Sequence, residues 1–302
     1  MLDREQVLGP LLMVPALAIL AIFLAYPFVL GIYLSMSDKR IGQPSEFVGL
    51  QNFIDNWRSG IFRLTFKNTF TYTAIATLFK LGLGLGLALL MNQAFKGKNI
   101  VRAGLLLPWI VPTVLSALAW LWIFDATYSV LNWSLKRMTG WALIGGLLTE
   151  VLGMSPTRGF NWLGNGALAM ASVITVNIWR GVPFFAISLL AGLQTISQEL
   201  YEAAAIDGAS ALQRFRHVTL PLLRPVLLIV LLFSIIWTFA DFQVVYVLTR
   251  GGPANSTHLL ATLAYQVGLQ SAQLGEGASI SLFMFPVLAV VTAIILAYIR
   301  RD

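Results

Sequence analysis

Cysteine is absent from the 302 residues, histidine occurs twice, and only 11% of residues are charged. The missing thiols exclude disulfides, thiolate metal sites and a cysteine nucleophile, and say nothing about compartment. His217 and His258 lie far apart in the chain, which leaves no metal-ligand spacing. A soluble domain carries about 25% charge. With less than half of that, the chain cannot cover a water-facing surface, so a soluble globular enzyme, a disordered chain and a coiled coil are all excluded. Acidic residues are the scarcer sign, 13 against 20 basic, for a net charge of +7. No run of five like charges occurs. The basic excess therefore suits membrane flanks rather than nucleic acid.

Catalytic and nucleotide motifs are missing too. Gly97-Lys98 is followed by Asn99, and Asn92 stands where a phosphate-binding loop needs its first glycine, so the chain carries no ordinary phosphate cradle. HExxH and GxSxG do not occur, which argues against a membrane-embedded enzyme. Gly82, Gly84 and Gly86 alternate inside an apolar run with no strand before them. A dinucleotide loop is excluded there, and close helix packing through Gly82 and Gly86 at GxxxG spacing is expected.

What is present is apolar length: 58% of residues are hydrophobic and the mean hydropathy is +0.79. At about 20 residues per crossing, this length holds six or seven helices. Six stretches qualify: Leu11–Met36, Thr65–Asn92, Ala103–Phe124, Ala167–Leu193, Leu222–Leu248 and Ser279–Ile299. The first is too long for a signal peptide and has no small-x-small cleavage pattern after it, so it is expected to remain as a span. Trp141–Met154 is too short to cross and suits an interfacial or re-entrant helix. The fold class expected is an all-α membrane protein of six transmembrane helices. A first helix with its external segment occupies 1–64 and a transmembrane core 65–299. Loop cations divide equally between the two sides. Density nevertheless favours the side of Lys96, Lys98 and Arg102 as cytoplasmic, with both termini there.

The connection Ile196–Pro225 is the least hydrophobic long stretch on that side. Ser197 suits an N-cap, Glu199 and Glu202 favour a first turn, and Ala203, Ala204 and Ala205 favour helix. Gly208 tolerates a left-handed turn. Ala211, Leu212, Phe215 and Val218 return at helical spacing, and Pro221 and Pro225 let a further helix begin afresh. Two amphipathic helices are expected, either covering the membrane surface or docking a soluble partner.

These residues carry a resemblance. Glu202-Ala203-Ala204, Gly208 and Leu220-Pro221, within YEAAAIDGAS…F…LPLLRP, resemble the EAA loop of permease subunits of bacterial ABC importers, of type I and the maltose and glycerol-phosphate branch. FVGLQNFID at Phe47–Asp55, LLLPWIVPTVLSALAWLWIF at Leu105–Phe124, Trp179-Arg180 with Pro183, and VLTRGGPANSTHLLATLAYQ at Val247–Gln266 resemble the same branch in the same order. The resemblance implies a permease of MetI-like fold that is not itself an enzyme and binds no cofactor. ATP and magnesium belong to a cytoplasmic ATPase dimer, which grips the coupling loop 196–221 through Glu202, Ala203, Ala204, Asp207, Gly208, Leu220 and Pro221. It also implies a second homologous permease subunit, an extracytoplasmic solute-binding protein, the bacterial cytoplasmic membrane, and carbohydrate import by alternating access. The alternative is a secondary transporter or channel for a small polar solute, coupled to ions through buried charges.

Such charges exist. Lys80, Arg180 and Asp241 fall inside spans, where each costs about 2.5–3.5 kcal/mol. Either Arg180 pairs with Asp241 and fixes packing, or the group lines the translocation path. Asn177, Arg180, Asp241, Gln243 and Tyr246 are the candidate path residues, because sugars are held by hydrogen-bonding side chains and by aromatic faces.

Overall fold

The computed structural model describes residues 5–138, 149, 153–155 and 159–299. The described residues are helical apart from turns and isolated bridges such as Ser37 with Phe47. Of the stretch Trp141–Met154, only Thr149, Gly153 and Met154 lie among them. The chain divides into two compact units, one of Met1–Arg63 with Leu263–Pro286, the other of Leu64–Thr262 with Val287–Asp302.

In the first unit, α1 (Glu5–Leu20) and α2 (Tyr26–Ser35) are joined by a π-helical turn, Ala21–Ala25. Every large apolar side chain described along them is exposed, from Leu11 to Tyr33. That is the surface a lone span presents to hydrocarbon. α3 (Gln51–Arg58) and α14 (Leu274–Leu282) are tied by Asn56, whose Nδ2 donates to Ser279 Oγ at 2.8 Å.

The second unit is built on most of α4 (Gly60–Asn92), α8 (Gly166–Gln194) and α11 (Leu220–Phe239), with α5 (Lys98–Ile110), α6 (Thr113–Ile123), α7 (Val130–Met138), α9 (Gln198–Ile206), α10 (Ala211–Arg214), α12 (Gln243–Leu248), the first half of α13 (Leu260–Tyr265) and most of α15 (Met284–Ile299). Among the described residues, five helical stretches are long and apolar enough to cross a membrane, and the pair α5–α6 makes a sixth if its two arms count together.

That pair corrects the expectation of a straight third span at Ala103–Phe124, for the arms meet at 94°. The cause is local. Val111 precedes Pro112 and is extended, with ψ at 130°, because the proline ring crowds the α conformation of the residue before it. A second correction falls after Gly208. No new helix begins at Pro221: α10 runs into α11 through a π-helical turn, Phe215–Thr219. The carbonyl four residues before Pro221 belongs to His217, inside that turn. Widening the helix there relieves the clash that proline otherwise imposes. Pro27 stands in the same relation to Ala21–Ala25.

Two large apolar clusters stand out among the described residues of this unit. One gathers Tyr72, Ala76, Val173, Val176, Val244 and Val245. The other gathers Ala88, Met91, Phe185, Leu189, Leu223 and Val230. Along α4 and α8 the residues between them, Lys80 and Asn177, are polar, so a polar layer lies sandwiched in apolar packing. The packing glycine of α4 is Gly84, whose missing Cβ would meet Phe185 and the Ala186 nitrogen, whereas Gly82 and Gly86 face open space. The expected packing through Gly82 and Gly86 is therefore not formed, and the single glycine between them makes the close approach.

Candidate functional site

The fifth span is interrupted. α11 ends at Phe239, Ala240–Phe242 leave the helix, and α12 begins at Gln243. No proline or glycine makes this break. Asp241 sits in it, and its Oδ1 accepts the Val244 N–H at 3.4 Å, covering one of the free donors of the new helix. Interrupted helices of this kind expose backbone and side-chain polar groups to a cavity inside a membrane protein.

Around the break the polar side chains bond to one another. Tyr72 Oη donates to Asp241 Oδ2 at 2.6 Å, and Asn177 Nδ2 donates to the same oxygen at 2.9 Å. Lys80 Nζ donates to Asn177 Oδ1 at 3.0 Å and to Thr238 Oγ1 at 2.6 Å. Lys80 reaches this position because its stem passes over Gly181, where a Cβ would collide with it. The expected Arg180–Asp241 ion pair is not formed. Asp241 is taken by a phenol and an amide, and Arg180 Nε is buried with no hydrogen-bond partner.

The layer opens into a cavity of about 500 Å³. Asn177, Arg180, Asp241 and Gln243 line it; Tyr246 does not, and stacks on Phe242 with centroids 4.9 Å apart. Trp109, Phe184 and Trp237 line it as well, as an aromatic group. Trp109 stacks on Phe184 at 5.2 Å, and Trp237 meets Trp109 at 5.8 Å and Phe184 at 5.1 Å. Apolar walls with a few convergent polar groups are what a small-solute site requires.

The loop 196–221 lies elsewhere in the same unit. Ser197 caps α9 by accepting from Glu199 N. Gly208 turns the chain with φ of +77°. Ser210 and Gln213 then form a capping box at α10, and Tyr201 Oη bonds Thr219 Oγ1 at 3.1 Å, tying α9 to the π-turn. Glu202, Ala203, Asp207, Gly208, Leu220 and Pro221 are exposed and Ala204 half-buried. Ile206 and Leu212 are 87% and 73% exposed.

The family model described as "Binding-protein-dependent transport system inner membrane component" matches residues 80–302. The chain belongs to this family. It is a permease subunit of an ABC importer, a multi-pass inner-membrane protein, and ATP hydrolysis lies on a separate subunit. It is 34% identical to the trehalose/maltose transport system permease protein MalF of Thermococcus litoralis, over 99% of this chain and 96% of that one. It is 35% identical to the sulfoquinovosyl glycerol transport system permease protein SmoG of Agrobacterium fabrum, over 98% and 91%. Among solved structures, a chain of a bacterial ABC transporter involved in the import of the acidic polysaccharide alginate superposes with a TM-score of 0.80 at 24% identity, over 99% of this chain and 97% of that one. That likeness concerns the fold.

Within this permease, sequence reasoning missed Tyr72, Thr238, Trp109 and Phe184. Tyr72 and Thr238 read as span residues like any others. Lys80 was visible as a buried charge, and Tyr72 lies two helical turns before it, the one signal that could have paired them.

Proposed function

We propose that the chain forms, with a second homologous permease subunit, the translocation path for a sugar or sugar derivative, driven through the coupling loop by a dimer of cytoplasmic ATPases. The observation that carries this reading is the cavity at the broken fifth span. It combines an aromatic group of Trp109, Phe184 and Trp237 with polar groups from Asn177, Arg180, Asp241 and Gln243. Sugar rings offer apolar C–H faces and hydroxyl edges, and the two sets complement one each. The relatives named for trehalose and maltose and for diacetylchitobiose support a saccharide cargo.

Solute arrives from an extracytoplasmic binding protein. Glu202, Ala203, Ala204, Asp207, Gly208, Leu220 and Pro221 form the surface that the ATPase grips. This loop faces the nucleotide, so both termini are cytoplasmic. The bare Ile206 and Leu212 support a docking role, as apolar side chains that a partner surface would cover.

The test is uptake into proteoliposomes of the four-subunit complex with its binding protein, using labelled maltose, trehalose and diacetylchitobiose. ATP-dependent accumulation that survives ionophores is expected. Uptake driven by an ion gradient without ATP hydrolysis would overturn the reading in favour of a secondary transporter.

A further inference from the structure

We propose that Tyr72 and Lys80 are positioning residues of the transport cycle, which latch the break in the fifth span in one of the two arrangements that alternating access requires. The inference rests on the transport reading above.

The geometry is that of a staple across the break. Lys80 Nζ holds Thr238, in the last turn before the break, at 2.6 Å. Through Asn177 it also holds Asp241, at the start of the second half. Tyr72, two turns earlier on α4, grips Asp241 directly at 2.6 Å. Asp241 in turn caps α12. The two halves of the fifth span are thus fixed to the second and fourth spans by one set of bonds, and the set fixes the angle between the halves.

Burial makes the set costly to leave half-made. Tyr72, Lys80, Asn177 and Thr238 are each no more than 8% exposed. In such surroundings a donor or charge without a partner is heavily penalised. The latch therefore has two tolerable conditions, closed with every member bonded to another, or opened with Lys80, Asn177, Thr238 and Asp241 bonded instead to water entering the cavity that they line. An intermediate is disfavoured, which is what a two-state element needs.

A packing device would look different. The simplest one places the ammonium against the carboxylate. Here an amide stands between Lys80 and Asp241, so the charges are neutralised at a distance and the connection depends on where Asn177 sits. Arg180, one turn after Asn177 on α8, brings a buried Nε without a hydrogen-bond partner. Arg180 is therefore the donor placed to supply the alternative bond of the opened state.

The experiment measures ATP hydrolysis by the reconstituted complex, with and without binding protein and solute, for Tyr72→Phe and Lys80→Met. Each variant removes a donor to a charged or bridging group, an effect equivalent to about a tenfold change in the ratio of the two states. Basal hydrolysis without binding protein should rise up to about tenfold, with the stimulated rate little changed. In an Asp241→Ala background, Tyr72→Phe should add nothing, because the oxygen that Tyr72 bonds is gone. Unchanged basal hydrolysis in Tyr72→Phe, or an effect that simply adds in the Asp241→Ala background, overturns the proposal. Should Lys80→Met fail to assemble, Tyr72→Phe keeps the ring and decides alone. Failure of the transport reading is recognised separately, because the wild-type complex would then show no ATP-driven saccharide uptake.

Discussion

Gly84→Ala is the perturbation whose outcome the structure specifies most closely. A Cβ at Gly84 would collide with Phe185 Cβ and approach the Ala186 nitrogen to 3.2 Å. Neither atom can swing aside, since one is fixed to the backbone and the other belongs to it. The helices α4 and α8 must separate instead. Overpacking of this kind costs about 1–3 kcal/mol, and replacing a mid-helix glycine returns about 0.5–1 kcal/mol. The net loss is roughly 0–2.5 kcal/mol, about 1 at the centre of the range. The same substitution at Gly82 and Gly86 meets open space, so only the helix gain remains and neither variant should be less stable. The assay is retention of the monodisperse complex after heating in detergent, across the three variants. The functional corollary follows from register. Gly84 is one turn from Lys80, so spreading the helices also lengthens the 3.0 Å bond from Lys80 to Asn177. Gly84→Ala should therefore raise basal ATP hydrolysis as well as lower stability. A Gly84→Ala complex as stable as wild type, or a Gly82→Ala complex that is the weaker of the two, would refute the packing argument.

Three further outcomes are expected. Glu202→Lys, and Gly208→Leu at φ +77°, where a side chain costs about 1–3 kcal/mol of backbone strain, should abolish uptake while membrane insertion, read by fractionation, stays intact. Asn132 is 3% exposed, bonds both backbone groups of Phe160 and accepts from Trp162 Nε1 at 3.0 Å. Asn132→Ala should cost about 2–4 kcal/mol and make the connection between 125 and 165 markedly more sensitive to limited proteolysis. The backbone N–H groups of Tyr128 and Thr127 bond the Asp125 carboxylate and hold its pKa below the ordinary value. A depressed folded pKa contributes stability above the ordinary carboxylate pKa, which is lost as pH falls through the folded value. Proteolysis of this connection should therefore rise on acidification below the usual carboxylate range, and Asp125→Ala should remove that pH dependence.

Apolar length was legible because it is a property of composition over a window, and every expected span is accounted for by a long helix or by the bent pair. What a window cannot carry is direction and phase. The bend at Val111 needed only the known effect of Pro112 on the residue before it, yet a continuous apolar run hid it. Gly82 and Gly86 offered a familiar spacing, and Gly84 between them makes the contact. Spacing says which residues share a face and not which face meets a neighbour. The break at Ala240–Phe242 had no breaker residue to announce it. It becomes intelligible only once Asp241 is seen to cap α12 and to take bonds from Tyr72 and Asn177, that is, from two other spans. The same holds for the charges. Opposite signs on Arg180 and Asp241 suggested a direct pair, because Coulomb attraction is the only long-range term a sequence displays. Inside the membrane the shorter-range term wins. A carboxylate that has lost its water is satisfied by whichever donors touch it, and here those are a phenol and an amide. The cation that remains unbonded at its buried Nε is thus decided by hydrogen-bond geometry. A permease that must open and close gains from this, since bonds of fixed length let go within a small displacement and a bare ion pair does not.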